Sequence, residues 1–183
     1  MGRLQSVAAL GLGSLLSLAP AAASAATEVV FVSGAFRRSI PVSDLEHLAA
    51  TGQARGLLGD LIRFGRQKPA TVAQLLNLSI SLPLVPTSRF LNSTPGTAIL
   101  QRVGRILFPL KAPGEALPAL RAATINGLVS GNGQISPVGF LRAYPNNDLA
   151  VSLPALQAAV NQVEAMSGLV KGFLDTDLKP NVK

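Results

Sequence analysis

The sequence predicts a mostly helical α+β fold, in which about six to seven helices pack with a small antiparallel sheet. Three observations lead to this prediction. A β-rich run with a central turn stands near the start, apolar residues recur at helical spacing through most of the remainder, and Pro and Gly punctuate these segments. No long repeat or Pro/Gly linker divides the chain, so one domain over residues 26–174 is expected, with a flexible tail at 175–183.

The first 25 residues have the pattern of a cleavable signal peptide. Arg3 provides a positive start, residues 7–18 an apolar stretch, and Ala23-Ser24-Ala25 a small-residue cleavage site. A membrane span needs about 20 apolar residues, and this stretch is shorter. We therefore expect export to the periplasm, the cell envelope or the thylakoid lumen, the alternative being an uncleaved anchoring helix.

A hairpin is predicted from Glu28 to Val32 and from Arg38 to Val42, because both arms are β-rich and a Ser-Gly turn signal at Gly34 lies between them. The loop is expected to contain about four residues. Pro41 places the second arm at an edge, since it cannot donate a backbone hydrogen bond. The segment Leu149 to Leu153 alternates like a short strand and is a candidate third partner for the hairpin.

A capped helix is predicted directly after the hairpin. Ser43 and Glu46 have the S-x-x-E spacing of a capping box, and Asp44 adds negative charge at the helix N-terminus. Gly52 is expected to end this helix, because glycine adopts the left-handed conformation that a helix C-terminus favours.

Further helices are predicted where apolar residues recur every three or four positions. They are Ala54 to Phe64, Pro69 to Leu78, a short one around Phe90, Thr94 to Phe108, Ala116 to Val129, Ser136 to Tyr144, and Pro154 to Phe173. Leu75 and Ile99 are among the positions expected to face inward. The proline-interrupted segment Ile80 to Val85 is expected to be an extended, buried connection.

The composition excludes several classes of protein. The chain has no Cys and one His, which excludes thiol nucleophiles, disulfides and zinc fingers, and its nine acidic residues are dispersed, so neither a metal nor a cofactor is expected. The net charge of +7 favours anionic partners such as lipid headgroups or acidic proteins. Nucleic acid is not expected as a partner, because the chain has no Trp, one Tyr and seven scattered Phe for base stacking.

No catalytic residue is assigned from the sequence. The chain contains no G-x-S-x-G nucleophile elbow, which an α/β-hydrolase needs in order to expose its serine. His47 could face Ser43 one turn earlier, with Asp44 or Glu46 nearby, but Ser43 is already explained as a helix cap. We therefore interpret the chain as more consistent with a binding role than with an enzyme.

Two arginine pairs are the candidate binding residues. Arg63 and Arg66 are spaced i to i+3, and so are Arg102 and Arg105, which would project each pair from one helix face. Such a pair could contact an anionic headgroup or an acidic partner. The alternative is the ordinary charged face of a surface helix.

Four segments of the chain carry a family resemblance. They are VSGAFRRSIPVSDLEHLAATGQ at 32–53, SRFLNSTPGTAILQRVG at 88–104, ALRAATI at 119–125 and FLRAYPNNDLAVSLPALQ at 140–157. In this order they resemble a cyanobacterial exported domain of unknown function that often precedes α/β-hydrolase domains. The resemblance implies a helical module with a small β element and no characterised catalytic residues. Longer members continue into a hydrolase domain, whereas this sequence ends where that domain would begin.

The expected function is that of an exported, non-catalytic binding or accessory module. Its partner would be a separately encoded α/β-hydrolase, another envelope protein, or an anionic lipid surface. The alternative is an α/β-hydrolase-associated esterase or lipase, or the truncated front half of one, as the resemblance implies.

Overall fold

The computed structural model describes residues 25–159 and 161–162. Three predictions therefore lie wholly or largely outside the described residues: the signal peptide over residues 1–25, the continuation of the last helix beyond residue 162, and the tail at 175–183. The described residues form an α+β fold with a four-stranded sheet, a separate two-stranded sheet and a set of short helices.

The strands are short and widely separated along the chain. They are β1 (Glu28–Ser33), β2 (Phe36–Pro41), β3 (Ile80–Ser81), β4 (Leu107–Pro109), β5 (Gln134–Ile135) and β6 (Asp148–Ser152). The helices are α1 (Val42–Thr51), α2 (Gly56–Phe64), α3 (Pro69–Asn77), α4 (Leu84–Leu91), α5 (Thr94–Gly104), α6 (Ala116–Ser130) and α7 (Pro137–Arg142), with a 3-10 helix at Pro113–Glu115. Residues 153–159 are also helical, so this helix begins within one residue of the start predicted at Pro154.

The predicted hairpin is confirmed, with a tighter loop than expected. β1 and β2 pair antiparallel from Glu28 with Pro41 to Ser33 with Phe36, so two residues form the loop instead of about four. Gly34 has a φ of 59°, which glycine adopts without the steric penalty of a side chain. The strand order is β2-β1-β6-β4, so β2 is an edge strand, as Pro41 predicted.

The third strand is confirmed, but the expectation of an all-antiparallel sheet is wrong. β6 pairs with β1 in parallel, from Glu28 with Asp148 to Val32 with Ser152. Parallel pairing needs a long crossover between the two strands, and nearly all of the domain lies between them. The four-stranded sheet is therefore mixed.

The fourth strand, β4, replaces the end of a predicted helix. The helix predicted from Thr94 to Phe108 ends at Gly104, and Leu107 to Pro109 pair antiparallel with β6. The apolar residues Ile106, Leu107 and Phe108 continue the helical spacing, so the pattern alone does not separate the two elements. Pairing with the open edge of β6 decides in favour of the strand.

The predicted capping box at α1 is wrong. The N-cap residue is Pro41 and no side chain caps the helix, because α1 begins at Val42 and places Ser43 inside the first turn. Glu46 instead accepts a hydrogen bond from Arg142 Nε on α7 at 2.6 Å. The predicted C-terminus is confirmed, since Gly52 has a φ of 71° and donates its N–H to the Leu48 carbonyl.

The starts of α5 and α7 combine a hydroxyl cap with a proline, as the sequence predicted. Ser136 accepts from the Gly139 N–H before α7, as predicted. The cap of α5 is Ser93 instead of Thr94, and its hydroxyl accepts from the Gly96 N–H. The helices predicted at 54–64, 69–78 and 116–129 are also found, with ends shifted by one or two residues.

The segment Ile80 to Val85 is exposed except for Leu82, which is half-buried, so its expected burial is wrong. Ile80 and Ser81 form β3, which pairs with β5, and α4 already begins at Leu84. Leu75 and Ile99 were expected to face inward and are likewise exposed, whereas Ala73 and Leu100 are buried on the same two helices. Apolar residues on these helices cover more than one face, and packing selects which of them are buried.

The buried residues form two clusters on either side of α1. The larger one joins α4, α5, α6 and α7 to the centre of the sheet and contains Leu120, Leu141, Tyr144 and Leu149. The smaller one joins α1, α2 and α3 to Ile40 of β2. Phe31 and Leu45 pack against both clusters, so the two are continuous. Within the described residues no helix is long and apolar enough to cross a membrane.

Candidate functional site

The residues that could resemble a catalytic triad are not assembled. Asp44 accepts from Arg55 Nε at 2.7 Å, and Glu46 is paired with Arg142. The backbone carbonyl of His47 accepts from the Thr51 hydroxyl at 2.7 Å. No hydrogen bond joins the His47 imidazole to a serine or a carboxylate in the part of the chain that the structure describes. Both nearby carboxylates are thus held by arginines from outside α1.

The acidic residues of the described chain also do not converge. Among residues 25–159 and 161–162, no group of three or more His, Asp or Glu side chains lies close enough to hold a metal ion. Lys111 pairs with Asp148 at 3.2 Å in the wall of a small polar cleft of about 260 Å³. That ion pair joins the loop after β4 to the start of β6, so we assign it a structural role.

The structure places the four predicted arginines at two helix C-termini. Arg63 lies in the last turn of α2 and Arg66 just beyond it, with a φ of 53°. Arg102 lies in the last turn of α5 and Arg105 is its C-cap residue. Arg66 has therefore left the helical conformation, so Arg63 and Arg66 do not share the single helix face that was expected. Arg105 keeps a right-handed helical conformation at the C-cap, with φ −74° and ψ −23°. Each pair is held close by a backbone turn, through Arg66 N to Arg63 O at 3.0 Å and Arg105 N to Arg102 O at 3.2 Å.

The structure does not bring the two arginine pairs together. α2 packs against α1, whereas α5 packs against α4, α6 and β4. All four side chains are exposed, and Arg63 forms an ion pair with Asp60 one turn earlier. Within the described residues, Arg66, Arg102 and Arg105 form no ion pair.

A group of exposed apolar residues adjoins the first of these pairs. Phe64 is 91% exposed, and Leu57 and Leu61 precede it on the same side of α2. Phe36 of the hairpin is half-exposed, and the Arg38 guanidinium lies 5.1 Å from the centre of its ring. A cavity of about 410 Å³ between α2 and the outer strands is lined by Phe36, Leu57 and Leu61 together, which makes the surface continuous. We call Phe36, Leu57, Leu61 and Phe64, with Arg38, Arg63 and Arg66, the α2 patch.

The sequence indicated Arg63 and Arg66, but neither Arg38 nor the apolar residues of the α2 patch. Leu57, Leu58, Leu61 and Ile62 all fall at helical spacing, and of these four only Leu58 and Ile62 are buried. The sequence does contain a signal for the exposed residues, since two adjacent pairs of apolar residues make a stripe wider than a single buried face requires. A wide apolar stripe on a short surface helix predicts a second contact surface.

A second apolar feature lies nearer the middle of the same sheet face. A cavity of about 510 Å³ has Val29, Leu107, Leu149 and Val151 as its floor, and α6, α7 and β5 contribute to its walls. Leu78 and Ile80, both more than half exposed, lie at its rim. We call it the sheet cavity.

The core beneath these features contains one unusual polar group. Tyr144 is fully buried, and its hydroxyl has no hydrogen-bond partner among the residues that the structure describes. Its ring packs against Phe140 with centroids 5.9 Å apart. Burial raises the pKa of the Tyr144 phenol above its ordinary value. Because Tyr144 lines neither apolar cavity, we assign it no contact with a ligand.

Comparison with known proteins identifies one family. The family model described as "Alpha/beta hydrolase of unknown function (DUF1400)" matches residues 25–152. The match begins three residues before β1 and ends with the last residue of β6, so it spans the complete four-stranded sheet. No curated protein and no solved structure matches the chain.

Proposed function

The chain belongs to the family described as alpha/beta hydrolase of unknown function, and from that premise we propose that it is an exported, non-catalytic accessory module. In this proposal the module binds an anionic lipid surface through the α2 patch. The single observation that carries the proposal is the exposure of Phe64, 91%, between Arg63 and Arg66.

The shape of the α2 patch favours a lipid interface. A fully exposed Phe beside exposed Leu residues is unfavourable in water, and burial of their apolar area would contribute about 25 cal/mol per Å². An interfacial helix combines such an apolar face with basic residues, which attract anionic lipids at about 1 kcal/mol each. In the α2 patch, Leu61, Phe64, Arg63 and Arg66 supply both parts within the last turn of α2 and the loop that follows.

The non-catalytic part of the proposal is supported by the ion pairs that the two carboxylates near His47 form. Asp44 and Glu46 form ion pairs with Arg55 and Arg142, so no carboxylate among the described residues orients His47. The sequence of 183 residues also contains no nucleophile elbow. These observations favour a module that assists a hydrolase over one that carries out hydrolysis.

Vesicle sedimentation tests the lipid proposal. The mature protein is mixed with phosphatidylglycerol or phosphatidylcholine vesicles at low and high salt. We expect sedimentation with the anionic vesicles at low salt and loss of most binding at high salt, because counterions screen the arginines. Failure to sediment with phosphatidylglycerol at low salt would refute the proposal.

The chain offers matched controls for both parts of the patch. F64S and the double variant R63Q/R66Q should each weaken binding roughly tenfold. F90S changes a half-exposed Phe on α4, and R102Q/R105Q changes the other predicted pair; both should leave binding unchanged. Equal losses in all four variants would show a general charge or stability effect and would contradict the assignment to the α2 patch.

Hydrolysis is the second candidate function, and the family's description as an α/β-hydrolase favours it. The test is turnover of p-nitrophenyl butyrate by the purified mature chain, with and without a serine-directed inhibitor. We expect no turnover above background. Inhibitor-sensitive turnover that follows the protein through purification would replace the accessory-module proposal.

A further inference from the structure

The sheet cavity is lined almost entirely by hydrocarbon side chains. Among the described residues no charged side chain lines it, and its two hydroxyl residues are Thr124 and Ser136. The Thr124 hydroxyl donates to the Leu120 carbonyl at 2.9 Å, and the Ser136 hydroxyl accepts from the Gly139 N–H at 3.1 Å. Each hydroxyl therefore already has one backbone partner on its own helix.

This lining selects the chemistry of the occupant. A polar group placed inside would lose its hydrogen bonds to water without replacement, which costs roughly 1–3 kcal/mol by protein mutational data. A hydrocarbon gains free energy with every methylene that leaves water. The volume of about 510 Å³ lies within the usual range of small-molecule pockets.

The rim explains how one end of such a ligand would remain in solvent. Leu78 and Ile80 are 59% and 55% exposed, so the apolar lining continues from the floor to the surface. A linear chain can therefore enter without passing a polar barrier. A headgroup left at the rim stays hydrated.

We propose that the sheet cavity binds the hydrocarbon chain of an uncharged single-chain lipid, such as a fatty alcohol or a monoacylglycerol. The absence of a lining cation argues against a fatty acid carboxylate as the buried group. The proposal is separate from membrane binding by the α2 patch, because it concerns different residues and a single ligand molecule in solution.

The test is displacement of a neutral fluorescent probe, N-phenyl-1-naphthylamine, from the mature protein without vesicles. Alcohols from hexanol to dodecanol serve as competitors below their solubility limits. We expect saturable probe binding and a competitor affinity that rises about fourfold per methylene until the cavity is filled. An affinity that does not change with chain length would refute the proposal.

Rim variants locate the binding site without disturbing the core. L78E and I80E each place a carboxylate at the mouth and should weaken probe and alcohol binding at least tenfold, whereas V85E is an equally exposed apolar-to-acidic change outside the lining. T124F should fill part of the cavity and make the chain-length dependence level off at a shorter alcohol.

The outcomes separate this proposal from other occupants of the cavity. Loss in L78E and I80E with full binding in V85E supports it. Equal binding in L78E, I80E and V85E overturns it. A wild-type dimer that dissociates in L78E, with no alcohol displacement, would identify a second copy of the chain as the occupant and would also overturn it.

Discussion

Arg121 on α6 donates from Nε and Nη2 to the backbone carbonyl of Leu91, at 3.2 and 3.0 Å. Leu91 is the last residue of α4, where carbonyl groups have no partner within the helix. The guanidinium therefore satisfies a helix C-terminus with two charge-assisted bonds and joins two helices of the larger core cluster.

R121A is expected to lower the free energy of unfolding by about 2 kcal/mol, because hydrogen bonds to a charged group are stronger than neutral ones. R121K should lie between the wild type and R121A, since Lys keeps the charge without the paired donors. Urea denaturation measures both changes. R89A, a change of an exposed Arg on α4, is the control, and an equal loss in that variant would remove the role given to Arg121.

Y144F is expected to raise the free energy of unfolding by about 1 kcal/mol, because it removes a buried hydroxyl that has no partner among the described residues. F140L is the contrasting variant, since it removes the ring contact and should be destabilising. Denaturant melts of both proteins provide the measurement. A destabilised Y144F would show that the hydroxyl is hydrogen-bonded.

The same residue predicts a dependence on alkaline pH. Burial raises the folded-state pKa of Tyr144, whereas the unfolded chain has the ordinary value of about 10. Above that pH the folded state holds a proton that the unfolded state has released, so stability is complete below about pH 10 and falls as the pH rises further. Y144F lacks this effect, and its stability advantage should therefore widen between pH 9 and pH 11. A constant difference across that range would contradict the assignment.

G96A should prevent folding or destabilise the protein by several kcal/mol. A Cβ at Gly96 would lie 1.9 Å from the Phe90 carbonyl oxygen. That oxygen cannot move freely, because it accepts from both the backbone N–H and the hydroxyl of Ser93. G114A is the matched control, since a Cβ there meets nothing within 4 Å. Circular dichroism and thermal melts would compare them, and a normally stable G96A would show that the α4–α5 turn can relax.

The parts of the fold that the sequence predicts correctly depend on local chemistry. Gly52 ends α1 and Ser136 starts α7 because the backbone conformation and the hydroxyl act within a few residues. The hairpin at Gly34 is likewise specified by adjacent residues. These signals keep their meaning wherever the segment is placed in the molecule.

The predictions fail where a residue that is distant in sequence supplies the hydrogen-bond or packing partner of a local segment. Glu46 has the spacing of a capping box, but Arg142 lies 96 positions away in sequence and takes its carboxylate. Leu107 continues a helical pattern, yet the edge of β6 draws it into a strand. For the candidate site the same limit applies, since the sequence located Arg63 and Arg66 but could not show that Phe64 remains uncovered.

The parallel pairing of β1 with β6 also affects how the domain folds. Thr27 and Asn147, at the start of these strands, are hydrogen-bonded partners 120 positions apart. The centre of the sheet therefore cannot form until nearly the whole domain has been synthesised, and contacts of such long range slow folding. Helices synthesised earlier therefore expose their apolar faces to water until the sheet forms. During that period these faces are surfaces to which a chaperone would bind.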